Sequence, residues 1–91
     1  MEQEKEVSET RIFSDPTIPS FFEADKRPFQ MHAQKNLRSG QVEFSVCGRG
    51  VEIDAALNDL YANKPVGALD FIKALKSFRS SIFALKGGRN G

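Results

Sequence analysis

The chain has one cysteine, one histidine and no tryptophan in its 91 residues. Cys47 has no partner within the chain, so no intramolecular disulfide forms, which suits a reducing compartment. Structural zinc takes four nitrogen or sulfur ligands, and His32 and Cys47 supply only one of each type. No metal and no other cofactor is therefore expected. For nucleophilic catalysis, a Cys47–His32 pair is the only arrangement worth stating. No third residue is placed to orient such a base, so no catalytic residue is assigned and no enzymatic activity is expected.

Long apolar runs are missing as well. The longest is Ile82–Leu85, four residues, against about 20 needed to span a bilayer. The first 20 residues are acidic and carry no apolar stretch of the signal-peptide kind. The expectation is a cytoplasmic or equivalent intracellular protein, not secreted, with no membrane partner.

What is present is a charge split that the net value of +1 conceals. Residues 1–25 hold seven acids and two bases, a balance of −5, while residues 26–91 hold five acids and eleven bases, a balance of +6. Opposite charge on two parts of one chain points to partners of matching sign.

Residues 1–28 read as an extended acidic arm. Met1–Thr10 has too little apolar surface to offset its conformational entropy. Phe13, Ile18, Phe21 and Phe22 then alternate with turn formers, and Pro16 and Pro19 bias Asp15 and Ile18 toward extended backbone. These four apolar residues are either a strap across the body or a linear motif that docks on a partner protein.

Residues 29–91 read as a small α+β domain, a β-hairpin followed by two α-helices. Phe29, Met31 and Ala33 alternate with polar residues, as do Val42, Phe44 and Val46, which is the period of a half-buried sheet. Residues 35–40 form the turn, with Asn36 and Gly40 suited to left-handed backbone. Gly48-Arg49-Gly50 is expected to break the second strand. Ile53, Ala56, Leu57, Leu60 and Tyr61 then place one apolar face on a helix over 51–62. A second helix is expected over 65–85, with Pro65 at its first position and glycine at its end. Its seam of Phe71, Leu75, Phe78, Ile82 and Leu85 is spaced 4-3-4-3, which serves either packing on the sheet or a homodimer. Leu69, Ile72 and Phe83 widen this face and suggest burial on more than one side.

The order of strand 41–46 and helices 51–62 and 65–85 resembles the layout of ribbon-helix-helix DNA-binding dimers, where a strand from each chain enters the major groove. The outward strand positions here are Gln41, Glu43, Ser45 and Cys47, and Glu43 would be repelled by phosphate.

Two functional readings follow. In the first, the chain is a non-catalytic nucleic-acid-associated protein. Lys73, Lys76, Arg79 and Lys86 of the last helix, Arg38 of the turn and Arg49 at the strand–helix junction would meet phosphates. In the second, it is a protein-binding adaptor or assembly subunit. Its contacts would then be Phe13, Ile18, Phe21 and Phe22 of the arm and the Phe71–Leu85 seam.

Overall fold

The computed structural model describes residues 8–87. Strand β1 (Ser8–Phe13) is followed by helix α1 (Thr17–Ala24), strands β2 (Gln30–Lys35) and β3 (Val42–Arg49), and helices α2 (Gly50–Tyr61) and α3 (Ala68–Leu85). The α+β class, the hairpin and the two helices after it are all present. The three strands form one antiparallel sheet in the order β1-β3-β2. In that sheet Ser45 of β3 lies between Ile12 of β1 and His32 of β2.

The main correction concerns the arm. Residues 8–24 are not an extended appendage; they supply an edge strand and a helix. The first seven residues, which carry the acids Glu2, Glu4 and Glu6, lie outside the described part. Ile18 is helical despite preceding Pro19, because Pro19 falls in the first turn of α1, where a backbone N–H has no intrahelical partner to lose. Asp15 helps to start this helix, its carboxylate accepting from the Thr17 backbone N–H at 2.9 Å.

Phe21 and Phe22 of α1 fill the core together with Phe29, Val46, Ile53 and Ala56. Phe22 is at its centre, edge-on to Phe13, Phe21 and Phe29. Such ring pairs add about 0.5–1.5 kcal/mol each beyond the area they bury. The other end of the sheet is covered by α3, where Phe78 stands edge-on to Phe44 with ring centroids 5.4 Å apart.

Gly48-Arg49 continues β3 rather than breaking it, and α2 starts directly at Gly50. A side chain at 48 would have its Cβ 2.6 Å from the Phe29 ring, so glycine permits the close approach here. α3 begins at Ala68, three residues after the position expected for Pro65, and Asp70 lies in its first turn. In the β2–β3 turn Asn36 acts through its side chain: Oδ1 accepts from the backbone N–H groups of Arg38 and Ser39. Gly40 takes the left-handed conformation, φ 77°.

α1 and α2 end alike. Lys26 and Asn63 have φ of 60° and 65°. After α1, Lys26 N–H donates to the Glu23 carbonyl and Arg27 N–H to that of Phe22. After α2, Asn63 N–H donates to Leu60 and Lys64 N–H to Asp59. These are Schellman motifs, which satisfy the last carbonyls of a helix. They also turn Arg27 and Lys64 toward each other's helices. Arg27 donates to Asp59 and, at 2.8 Å, to Asp25; Lys64 lies 3.1 Å from Asp25.

Candidate functional site

α3 has two unlike sides. Ala74 is buried, and Phe71, Leu75, Phe78 and Ile82 are half-buried on the same side as Ala74; Leu85, at the end of the seam, is 37% exposed. The Phe71–Leu85 seam therefore packs mainly on the chain's own core and sheet. The second side of α3 is not covered by the described residues. Leu69 is 70%, Ile72 50% and Phe83 65% exposed. At 3.6 residues per turn these three lie opposite Ala74, interleaved with cations. Leu69, Ile72, Lys76, Arg79, Phe83 and Lys86 recur at spacings of three and four and so form one outward ridge.

The ion pairs of the described residues are concentrated away from this ridge. Arg11 of β1 donates to Glu9 and to Asp54 of α2, each at 2.6 Å. The Arg11 hydrogen bond is the main reason that Asp54 sits below the usual carboxylate range. Arg27, Lys64, Asp25 and Asp59 form the network between the ends of α1 and α2. For Asp25, burial pushes the pKa up, but hydrogen bonds from Arg27 and then Lys64 outweigh it, and the net direction is down. Lys26 lies 3.9 Å from Asp70, beside a shallow cleft of about 190 Å³ lined also by Glu23 and Lys73.

Six cations have no ion-pair partner among the described residues: Lys35, Arg38, Lys73, Lys76, Arg79 and Lys86. Lys35 and Arg38 are at the turn end of the sheet. α3 passes from Phe71, packed on the core cluster, to Phe78, packed on Phe44. Its last turns, with Arg79 and Lys86, therefore head toward that same end. The fold thus puts Lys73, Lys76, Arg79 and Lys86 on one helix; Lys73 stands near its start, beside the cleft with Glu23 and Lys26, and Arg79 and Lys86 stand toward the turn end.

Arg49 is not part of this group. It closes β3 at the end away from the turn, about 23 Å of strand from Val42. It pairs with Glu52 at 3.2 Å. The strand–helix junction also holds an acid of the chain, because the Glu9 carboxylate lies against Gly50, 2.6 Å from where a Cβ would stand. An internal acid therefore sits where an anion-binding reading would put a phosphate.

The arm residues are likewise unavailable. Phe21 and Phe22 are buried, and Phe13 and Ile18 pack against the same cluster. Of the two readings of these residues, packing on the body is the one the structure supports: Phe21 and Phe22 are interior, and Phe13 and Ile18 are half-buried against them. The comparison with ribbon-helix-helix dimers fails on topology, since β3 already has β1 on one edge and β2 on the other. It has no free edge for a partner's strand.

On the outward sheet face, Cys47 is opposite Gln30 and Thr10, and His32 is opposite Ser45. The buried Ser45 hydroxyl is 3.3 Å from His32 Nδ1 and 3.2 Å from Nε2. An oxygen equidistant from both ring nitrogens lies over the ring face. A general base would need it in the ring plane, along one nitrogen's lone pair. No group of three or more His, Cys, Asp or Glu side chains suited to a metal occurs among the described residues. No helix among them is long and apolar enough to cross a membrane.

The cations of α3 and Arg38 are visible in the sequence, but what distinguishes them, the absence of acidic partners among the described residues, is not. That property arises from contacts such as Arg11–Asp54, 43 residues apart, which no local pattern signals. Comparison of the chain with protein-family models, with curated proteins and with solved structures finds no match.

Proposed function

We propose that the chain is a non-catalytic nucleic-acid-binding protein whose contact surface is the outward side of α3 together with the β2–β3 turn. The observation that carries this reading is the segregation of charge. Arg11, Arg27 and Lys64 are held by carboxylates of the chain itself, whereas among the described residues Lys35, Arg38, Lys73, Lys76, Arg79 and Lys86 are not. Exposed cations that no described carboxylate neutralises attract a polyanion and release its counterions on binding, which makes affinity depend on charge count and salt.

The test is binding of the full chain to mixed-sequence DNA and RNA at 50 and 200 mM salt, with a variant carrying Lys73→Gln, Lys76→Gln, Arg79→Gln and Lys86→Gln. All four positions are exposed, so the variant keeps its fold by circular dichroism. Affinity that falls steeply with salt in the native chain, and a shallower slope in the variant, support the proposal. No binding at 50 mM salt by the folded native chain overturns it. Removal of residues 1–25 is not a usable test, because it removes Phe21 and Phe22 from the core.

A further inference from the structure

The ridge on α3 is more than a row of charge. Leu69 and Ile72 stand at its start, Lys76 and Arg79 in the middle, and Phe83 and Lys86 at the end, along a helix of about 27 Å. Three large apolar side chains, each at least half exposed, lie on the same line as the cations that have no ion-pair partner among the described residues. A partner that satisfies the whole ridge offers anionic and apolar groups in alternation along one line.

Resting on the nucleic-acid reading above, we infer that the ridge of α3 selects single strands over duplexes. Lys76, Arg79 and Lys86 meet phosphates, and Phe83 stacks on an unpaired base beside them. A single strand exposes both the phosphates and the flat faces of its bases, and aromatic stacking is the sequence-tolerant way to hold such a base. A duplex hides those faces inside its stack. Against a duplex the cations would still find phosphate, but Phe83 would have no base face to cover. A second copy of the chain is a poor occupant. Two such ridges packed antiparallel set Lys76 and Arg79 against Arg79 and Lys76 of the other copy, and like charges meet at the centre of the contact.

The test uses the full chain and fluorescence anisotropy with a labelled 20-nucleotide single strand, the duplex of the same sequence, and polyglutamate as an acidic chain without bases. Phe83→Leu keeps apolar surface and removes the ring; Phe83→Tyr keeps the ring. The expected result is single-strand binding at least about tenfold tighter than duplex binding, with a loss of about five- to tenfold in Phe83→Leu and little change in Phe83→Tyr. The salt slope stays unaltered in both variants, since no phosphate contact is removed. Equal affinity for strand and duplex, or an unchanged Phe83→Leu, overturns the inference while leaving nucleic-acid binding in place. Polyglutamate bound as tightly as the single strand overturns it as well. Failure of the native chain to bind either nucleic acid removes the underlying reading instead.

Discussion

Lys64 and Asp25 face each other at 3.1 Å across the ends of two helices, and Arg27 and Asp59 repeat the exchange in the opposite direction. Each cation follows one helix and each acid belongs to the end of the other. The side chain of Asp25 is 10% exposed, so its charge depends on these partners rather than on water.

Acid sensitivity follows. The folded-state pKa of Asp25 lies below its unfolded value, near 3.9. Its contribution to stability is therefore complete above that value and is lost as pH falls through the folded pKa. Asp25→Asn should cost about 1–3 kcal/mol at pH 7, as expected for loss of hydrogen bonds to a charged group. The difference from the native chain should shrink toward pH 2. Urea midpoints of the two proteins from pH 7 to pH 2 measure this, and a gap that stays constant across the range contradicts it.

Lys26 ends α1 with φ 60°, a conformation that costs an L-residue about 1–2 kcal/mol. Its side chain is mostly exposed and its single ion pair is long, at 3.9 Å. Lys26→Gly should stabilise the protein by about 0.5–1 kcal/mol after the added freedom of glycine in the unfolded chain is counted. Thermal unfolding should show a rise of a few degrees; a fall would mean that the Lys26 side chain matters more than its backbone.

Phe78 and Phe83 are five residues apart on one helix and should behave differently. Phe78 packs on Phe44, so Phe78→Ala should cost about 2–4 kcal/mol. Phe83 is 65% exposed, and Phe83→Ala should change stability by no more than about 0.5 kcal/mol. Denaturant titration of both variants separates packing from surface. Comparable losses would mean that Phe83 is covered by the chain itself.

Gly48→Ala should destabilise the domain by about 1–3 kcal/mol, because its Cβ would stand 2.6 Å from the buried Phe29 ring. Phe29→Leu alone also costs stability, yet the double variant should lose less than the sum of the two. Additive losses would place the conflict elsewhere.

Where the apolar pattern was local, the sequence was readable. The alternation around Val42, Phe44 and Val46 and the face of Ile53, Ala56 and Leu57 led to β3 and α2. The elements of residues 8–24 are hidden from the sequence for a definable reason. β1 has the sequence Ser-Glu-Thr-Arg-Ile-Phe, whose composition is polar, and it is a strand because β3 offers it a ladder 31 to 41 residues away. Pro16 and Pro19 read as punctuation because their places, at the N-cap and in the first turn of α1, show only when the helix is seen. The site divides in the same way. The basic face of α3 follows from helical periodicity, whereas the neutralisation of Arg11 and Arg27 depends on Asp54 and Asp59, which the fold brings in from another helix.

The position of β3 between two strands of very different sequence separation also sets an order of assembly. Lys35 and Val42 of the β2–β3 pair are seven residues apart, whereas Phe13 and Phe44 are separated by 31 and Ser8 and Arg49 by 41. Closing the longer loop carries the larger entropy penalty, so the hairpin forms early and β1 docks late. In stopped-flow experiments, substitutions in the Asn36–Gly40 turn should slow folding, while Thr10 and Ile12 substitutions should chiefly speed unfolding. During synthesis β1 is made first and paired last. Until β3 has emerged, the aromatic side chains of α1 have no Val46 to pack against, so the core closes only when the third strand is in place.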